Sequence, residues 1–213
     1  MSFEVLQQRV REAGAAMFVR PHSNQLFLVY TGMKQRLMGN PAQFFSKARL
    51  LERNIVVFQG RPRTYYRDGI SDQINSFEAF LSWQRALCEQ LPHVERVFCM
   101  GTSIGGYAAI LYGYYLGVEA VWAFSPRTIV TEQTMSGQQG PASSDLAELL
   151  TRSNGKTEYH IYYNRRSEID ESAAVRLGGA SGVSLWPQDG EGHMVVQSLI
   201  DSERLPSLFP EPS

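Results

Sequence analysis

The sequence predicts an α/β fold: a three-layer sandwich with a mostly parallel central sheet of about six to seven strands and helices on both faces. A short apolar run without polar alternation, as in residues 26–30, is typical of a strand buried on both faces of a parallel sheet. Amphipathic segments of helical length separate such runs. Repeated strand–helix–strand units of this kind form parallel sheets through right-handed crossovers.

The elements follow one another along the whole chain. Strands are predicted over residues 15–19, 26–30, 54–58, 97–100, 120–124, 158–163 and 183–186. Helices are predicted over residues 3–13, 41–52, 77–91, 107–116, 144–152, 170–177 and 194–200. Pro41 suits the first position of its helix, and Ser76 suits an N-cap. Because the carboxyl ends of parallel strands share one edge of the sheet, we expect a ligand site there.

Length and composition indicate a single domain over residues 1–213, with its core at about residues 24–202. The segment 127–153 is predicted to be a loop or small lid, and residues 203–213 a flexible tail, because they are rich in proline. A net charge of −1 argues against a nucleic-acid partner, since such proteins are normally basic.

Targeting signals and metal motifs are missing from the sequence pattern. The first residues lack the basic and apolar regions of a signal peptide, and no apolar run reaches membrane-spanning length. A cytoplasmic protein without membrane insertion is therefore expected. Cys88 and Cys99 lie in apolar contexts and are expected to be buried free thiols. No residues show metal-ligand spacing, so neither a metal nor another cofactor is expected.

A Gly-x-Ser-x-Gly motif, Gly101 to Gly105 with Ser103 at its centre, lies between an apolar run and a predicted helix. In a strand–turn–helix context this motif is typical of a nucleophile elbow, where a sharp turn exposes the serine hydroxyl at the end of the sheet. The motif alone does not decide the function, because a serine before a helix is often only an N-cap.

Two further polar residues follow strand ends in the order that a catalytic triad would need. Asp170 comes after the strand ending at residue 163, and His193 comes after the strand ending near residue 186. The order serine, acid, histidine, together with the Gly-x-Ser-x-Gly elbow, resembles the α/β-hydrolase superfamily, and specifically its small serine esterases and thioesterases with short lids. The resemblance covers residues 24–202. It implies Ser103 as nucleophile, His193 as base and Asp170 as orienting acid, with Glu168 as the competing acid.

The predicted oxyanion hole uses backbone donors. The N–H of Ile104, directly after the nucleophile, is one expected donor. The resemblance places the second donor in the loop after the strand over residues 26–30, with Met33 donating and Gly32 allowing close backbone approach. This loop lacks the His-Gly-Gly-Gly run of lipases and so departs from that pattern.

Arginines and tyrosines follow several strand ends and are candidates for substrate binding. Tyr65, Tyr66 and Arg67 are the predicted substrate-binding residues of the loop that leaves the strand over residues 54–58. Other arginines at this edge are Arg61, Arg63, Arg127, Arg165 and Arg166. They suit phosphate or carboxylate groups. Acidic residues on the same side allow a second interpretation, a self-paired solvated rim, and the tyrosines could equally be packing residues.

These observations predict a serine hydrolase that cleaves an ester or thioester through an acyl-enzyme on Ser103. The expected partner is a small acyl ester or thioester, and a carrier-bound form is compatible with the arginines. Two alternatives stay open. An acyltransferase would use the same acyl-enzyme with an alcohol or amine acceptor, and a non-catalytic binding protein could retain the fold.

Overall fold

The computed structural model describes residues 3–61, 64–130 and 145–211, which are built around one seven-stranded sheet. The strands are β1 Ala15–Phe18, β2 Gln25–Tyr30, β3 Asn54–Phe58, β4 Arg96–Thr102, β5 Ala120–Phe124, β6 Glu158–Asn164 and β7 Val183–Gln188. Their order across the sheet is β1-β3-β2-β4-β5-β6-β7. Strand β1 pairs antiparallel with β3, and the other neighbouring strands pair in parallel.

Seven α-helices occur among the described residues. They are α1 Phe3–Glu12, α2 Pro41–Lys47, α3 Phe77–Glu89, α4 Ile104–Leu116, α5 Leu146–Leu150, α6 Glu168–Val175 and α7 Val195–Asp201. Short 3-10 helices lie at Met33–Gln35 and Leu205–Leu208. The predicted N-cap of α3 is confirmed, because the Ser76 hydroxyl accepts a hydrogen bond from the N–H of Ala79 at 3.1 Å.

The two faces of the sheet carry two separate hydrophobic clusters, as a three-layer sandwich requires. On β2, Leu26, Leu28 and Tyr30 belong to the cluster that contains α1, α3 and α4. The alternate residues Phe27 and Val29 belong to the cluster that contains α2 and α7. Successive side chains of a strand point to opposite faces. Since both faces are covered by these clusters, every residue of β2 is buried.

Two helix boundaries differ from the predictions for identifiable reasons. Helix α2 ends at Lys47 rather than at residue 52, and Arg49 has a φ of 55°, a left-handed conformation that cannot continue a right-handed helix. Helix α4 begins at Ile104 rather than at residue 107. The glycines at its start favour a turn by propensity, but they pack closely against neighbouring backbone.

Part of the tail over residues 203–213, which was predicted to be flexible, packs against the core in this structure. Leu205 is fully buried and Phe209 is 7% exposed, because the segment returns to the sheet and joins the cluster that contains α2 and α7. The guanidinium of the buried Arg53 also donates to the carbonyl of Pro210 at 2.5 Å. Apolar contacts and this hydrogen bond therefore hold the segment in place.

Truncating Phe209 is expected to cost stability. Its ring contacts Phe27 and Trp122, with centroids at 5.9 and 5.2 Å, so Phe209→Ala should lower the free energy of unfolding by about 3 kcal/mol. Phe18→Ala is a matched control, because Phe18 is 49% exposed and should change stability by less than about 1 kcal/mol. Urea unfolding measures both variants. Equal stabilities of the two variants would mean that the tail does not pack in solution.

The predicted lid over residues 127–153 is described only in part. Residues 131–144 lie outside the described residues. In the described parts, Val130, Leu146 and Leu150 are buried in the core. None of the helices in the described ranges has the length and apolarity needed to span a bilayer.

Candidate active site

Ser103 connects β4 to α4 through a strained turn. Its backbone has φ 54° and ψ −117°, a combination that non-glycine residues adopt mainly at functional sites. Its N–H donates to the carbonyl of Phe124 at 2.9 Å, and its carbonyl accepts from the N–H groups of Tyr107 and Arg127, each at 3.1 Å. These three hydrogen bonds fix the serine where β4, β5 and α4 meet.

The glycines of the motif are required by close backbone contacts. A Cβ atom on Gly101 would lie 2.1 Å from the carbonyl oxygen of Gly105. A Cβ atom on Gly105 would lie 2.1 Å from the carbonyl oxygen of Tyr30. Both distances are far shorter than van der Waals contact, and backbone atoms cannot rotate away as a side chain could. The sequence motif therefore has a steric cause at both glycines.

His193, in the loop after β7, meets Asp170, in the first turn of the helix α6 that follows β6. The Nδ1 atom of His193 lies 2.8 and 3.0 Å from the two carboxylate oxygens of Asp170. An ionised carboxylate only accepts hydrogen bonds, so Nδ1 carries the proton in this contact and Nε2 of a neutral imidazole keeps its lone pair. This tautomer is the one that a general base requires.

The choice between the two candidate acids has a clear geometric basis. Asp170 occupies the first turn of α6 and is 1% exposed, whereas Glu168 is exposed. A buried carboxylate needs charged or hydrogen-bonding partners. Asp170 has His193 and also the guanidinium of Arg127, whose Nη1 lies 4.0 Å from Oδ1.

Ser103 and His193 are not joined by a hydrogen bond in this structure. Nε2 of His193 is buried and has no hydrogen-bond partner among the described residues. Ser103 itself is 8% exposed. Hydrogen bonds between catalytic groups are often long without substrate and tighten when it binds. The unpaired Nε2 of His193 and the hydroxyl of Ser103 thus lie at the same edge of the sheet.

The predicted oxyanion donors lie around one cavity. This cavity has a volume of about 370 Å³ and is lined by residues 32–35, Gly60, Arg61 and Ile104. Ile104 is the first residue of α4, and Met33 is the first residue of a 3-10 helix. The N–H groups of a helix's first turn have no acceptor within the helix, so both are available to a ligand oxygen.

Gly32 allows close packing of its loop and is not a free hydrogen-bond donor. Its N–H already donates to the carbonyl of Arg36 at 2.8 Å. A Cβ atom on Gly32 would lie 3.0 Å from the carbonyl oxygen and from the hydroxyl oxygen of Thr102. Gly32 therefore permits the close approach of this loop to β4, and Met33 and Ile104 remain the candidate donors.

Two of the three predicted substrate-binding residues are structural in this arrangement. Tyr66 is fully buried, its hydroxyl donates to the carbonyl of Thr31 at 2.9 Å, and burial raises its pKa to about 12. Tyr65 is 7% exposed and packs edge-on against Tyr107. These tyrosines were predicted on the rim, but their loop folds inward onto the aromatic core. Arg67 is also buried, at 5% exposure.

Most of the rim arginines have acidic partners nearby. Arg61 pairs with Asp72 at 2.6 Å. Arg165 pairs with Asp189, and Arg166 with Glu191, both at 3.2 Å. Arg63 lies outside the described residues. These pairs favour the self-paired interpretation for the three arginines.

One positioning residue was missed by the sequence analysis. Asn164, at the end of β6, is fully buried, and its amide donates to the carbonyls of Glu191 and Gly192 at 3.2 and 3.1 Å. It thereby holds the loop that carries His193. An asparagine ending an apolar strand was the available signal, but such residues also occur in ordinary turns.

The cysteines carry no reactive thiolate. Cys99 is buried and Cys88 partly buried, and neither forms a disulfide. Burial raises the pKa of Cys88 to about 11 and raises that of Cys99 further, so both thiols stay protonated at neutral pH. No group of three or more His, Cys, Asp or Glu side chains that could hold a metal ion occurs within residues 3–61, 64–130 and 145–211.

Comparison with known proteins identifies the architecture. No protein-family model matches the chain, and no curated protein matches it in sequence. A capsule O-acetyltransferase of Neisseria meningitidis serogroup A is similar in structure, with a TM-score of 0.61, 12% identity, and coverage of 90% of this chain and 88% of that one.

Two esterase structures are similar to the same degree. A ferulic acid esterase has a TM-score of 0.61 and 14% identity, covering 91% of this chain and 90% of its own. Est1E from Butyrivibrio proteoclasticus has a TM-score of 0.60 and 12% identity, covering 89% and 90%. At such identities the likeness concerns the fold. The predicted fold class is confirmed: the chain has the three-layer α/β architecture of these esterases and of the acetyltransferase.

Proposed function

We propose that this protein is a serine-dependent enzyme that hydrolyses a small ester or thioester through an acyl-enzyme on Ser103. The observation that carries this proposal is the His193–Asp170 hydrogen bond at 2.8 Å, located at the same sheet edge as the strained Ser103. A histidine that only stabilises the fold is expected to have hydrogen-bond partners on both buried ring nitrogens. In His193, Nδ1 contacts a buried carboxylate, whereas the buried Nε2 is unpaired.

The chemistry begins with transfer of the Ser103 proton to Nε2 of His193 as the serine oxygen attacks the ester carbonyl. Asp170 holds the ring in its tautomer and stabilises the imidazolium that forms. His193 then gives the proton to the departing alcohol or thiol, leaving the acyl group on Ser103. Water then attacks that acyl group while His193 takes its proton, and His193 returns this proton to the Ser103 oxygen as the free acid leaves.

Negative charge develops on the carbonyl oxygen during both attacks. Ile104 and Met33 line the same cavity, and in this proposal the N–H groups of both residues donate to that oxygen. Preorganised donors of this kind contribute about 3 kcal/mol each to stabilisation of the transition state. The dipole of the 13-residue helix α4 acts in the same direction, because its N-terminus faces the reacting centre.

Acyl transfer is the second candidate. The O-acetyltransferase and the ferulic acid esterase resemble this chain equally, each with a TM-score of 0.61. Both reactions share the acyl-enzyme and differ only in the nucleophile that resolves it. An alcohol or amine acceptor in place of water would make the protein a transferase.

The experiment follows the fate of an acetyl group. The protein is mixed with 4-nitrophenyl acetate, quenched, and examined by intact mass spectrometry for an acetyl adduct. The released acetyl group is then measured with and without added alcohols and amines. Acetate alone supports the hydrolase, and acetylated acceptor supports the transferase. Absence of both adduct and turnover, also with acetyl thioesters, contradicts both and favours a binding protein.

A further inference from the structure

The cavity beside Ile104 carries an unmatched positive charge. Among its described lining residues, residues 32–35, Gly60, Arg61 and Ile104, the cations are Lys34 and Arg61, and no acidic residue is present. Arg61 pairs with Asp72 at 2.6 Å. Lys34 forms no salt bridge in the described part of the chain.

The size of the cavity limits what it can hold. Its volume of about 370 Å³ leaves room for roughly a dozen non-hydrogen atoms, at the ~30 Å³ that a water occupies in the liquid. Met33 and Ile104 are apolar residues of this lining, and Lys34 is a cationic one. Small-molecule sites commonly combine an apolar lining with a few polar groups that fix orientation.

The backbone presents Lys34 in an unusual conformation. Lys34 and Gln35 have φ values of 58° and 57°, in the left-handed region that residues other than glycine rarely adopt. Two such residues in succession follow Met33, whose N–H is a proposed oxyanion donor. The loop that supplies the donor therefore also places a cation at the wall of the same cavity.

We infer that this cavity binds the part of the substrate that carries an anionic group, a carboxylate or a phosphate, and that Lys34 recognises it. The inference rests on the proposed function and names a substrate class for it. A small acyl group that ends in a carboxylate fits this description, and so does a thiol leaving group that carries a phosphate. An ammonium forms charge-assisted hydrogen bonds with either anion.

The kinetic test uses two pairs of substrates of matched reactivity. The first pair is the 4-nitrophenyl monoester of glutarate and 4-nitrophenyl valerate, which places the charge on the acyl group. The second is S-acetyl-4′-phosphopantetheine and S-acetyl-pantetheine, which places it on the leaving group. In at least one pair, Lys34→Gln should lower the ratio of kcat/KM for the charged over the neutral substrate by about tenfold.

Two further variants control for general electrostatics. Lys34→Arg keeps the charge and should retain the wild-type ratio within about threefold, since arginine also binds these anions. Lys47→Gln removes a positive charge from the exposed end of α2 and should leave both ratios unchanged. Unchanged ratios in Lys34→Gln, or an equal loss in Lys47→Gln, would overturn the inference.

A binding measurement separates this inference from the proposed catalysis. Calorimetry records the binding of glutarate and of 4′-phosphopantetheine to Ser103→Ala, with and without Lys34→Gln. Binding that Lys34→Gln weakens about tenfold supports the anion site even if the wild type hydrolyses none of the four substrates. Binding that is absent, or unaffected by Lys34→Gln, counts against the site whatever the enzyme's activity.

Discussion

Ser103→Ala is expected to reduce ester hydrolysis by about 10⁵-fold, because the variant has no hydroxyl to form the acyl-enzyme. Its stability should stay close to that of the wild type, because the hydrogen bonds at this position use the backbone N–H and carbonyl of residue 103. Steady-state hydrolysis of 4-nitrophenyl acetate measures the first effect, and urea unfolding measures the second.

The control for this variant is Ser184→Ala. Ser184 lies on β7 and is exposed, so its hydroxyl should matter neither for turnover nor for stability beyond about 0.5 kcal/mol. A Ser103→Ala protein that is folded and still turns over the ester at more than a tenth of the wild-type rate would exclude Ser103 as the nucleophile.

Asp170→Asn is expected to lower kcat for the same ester by about 10⁴-fold. The amide preserves the size of the side chain but removes the negative charge that stabilises the imidazolium of His193. An asparagine that donates its NH₂ to Nδ1 would also favour the opposite tautomer, with the proton on Nε2. The KM should change far less than kcat, since Asp170 is 1% exposed and has little surface to offer a substrate.

Glu168→Gln is the matched comparison for the acid. Both residues lie in the first turn of α6, so each substitution removes one negative charge from the same helix end. Because Glu168 is exposed, Glu168→Gln should retain activity within about twofold. A larger loss of kcat in Glu168→Gln than in Asp170→Asn would exchange the roles of the two acids.

The local sequence pattern predicted strand bounds correctly where the residue types of a segment match its burial in the fold. The predicted bounds of β3 and β5 match those in the structure, because segments made almost entirely of apolar residues are typical of the buried strands of a parallel sheet. The elbow was predictable for a related reason. Gly101 and Gly105 are required by close backbone contacts of this turn.

Long-range packing was not predictable from local pattern. The tail over residues 203–213 was expected to be flexible because it is rich in proline, yet the ring of Phe209 contacts rings on strands far away in sequence. Tyr66 was a candidate for substrate binding because its loop leaves a strand end, with a packing role as the alternative. Its burial depends on acceptors at Thr31 and Phe58, which only the folded sheet brings near.

The same contrast between local pattern and long-range packing applies to the candidate active site. Strand ends located Ser103, Asp170 and His193 at one edge, since the order of parallel strands fixes where their loops lie. The supporting residue Asn164 was not predictable, because its role depends on carbonyls 27 and 28 positions further along the chain. The pairing of the rim arginines also required the fold, because Asp72 lies 11 residues from Arg61.

The central claim is that Ser103 is a nucleophile activated by His193. A fluorophosphonate probe tests it most directly, because it reacts covalently with an activated serine and needs no knowledge of the substrate. Peptide mapping by mass spectrometry should place a single adduct on Ser103, and His193→Ala should abolish or greatly slow its formation. A wild-type protein that remains unlabelled, or that is labelled at another residue, would contradict the claim.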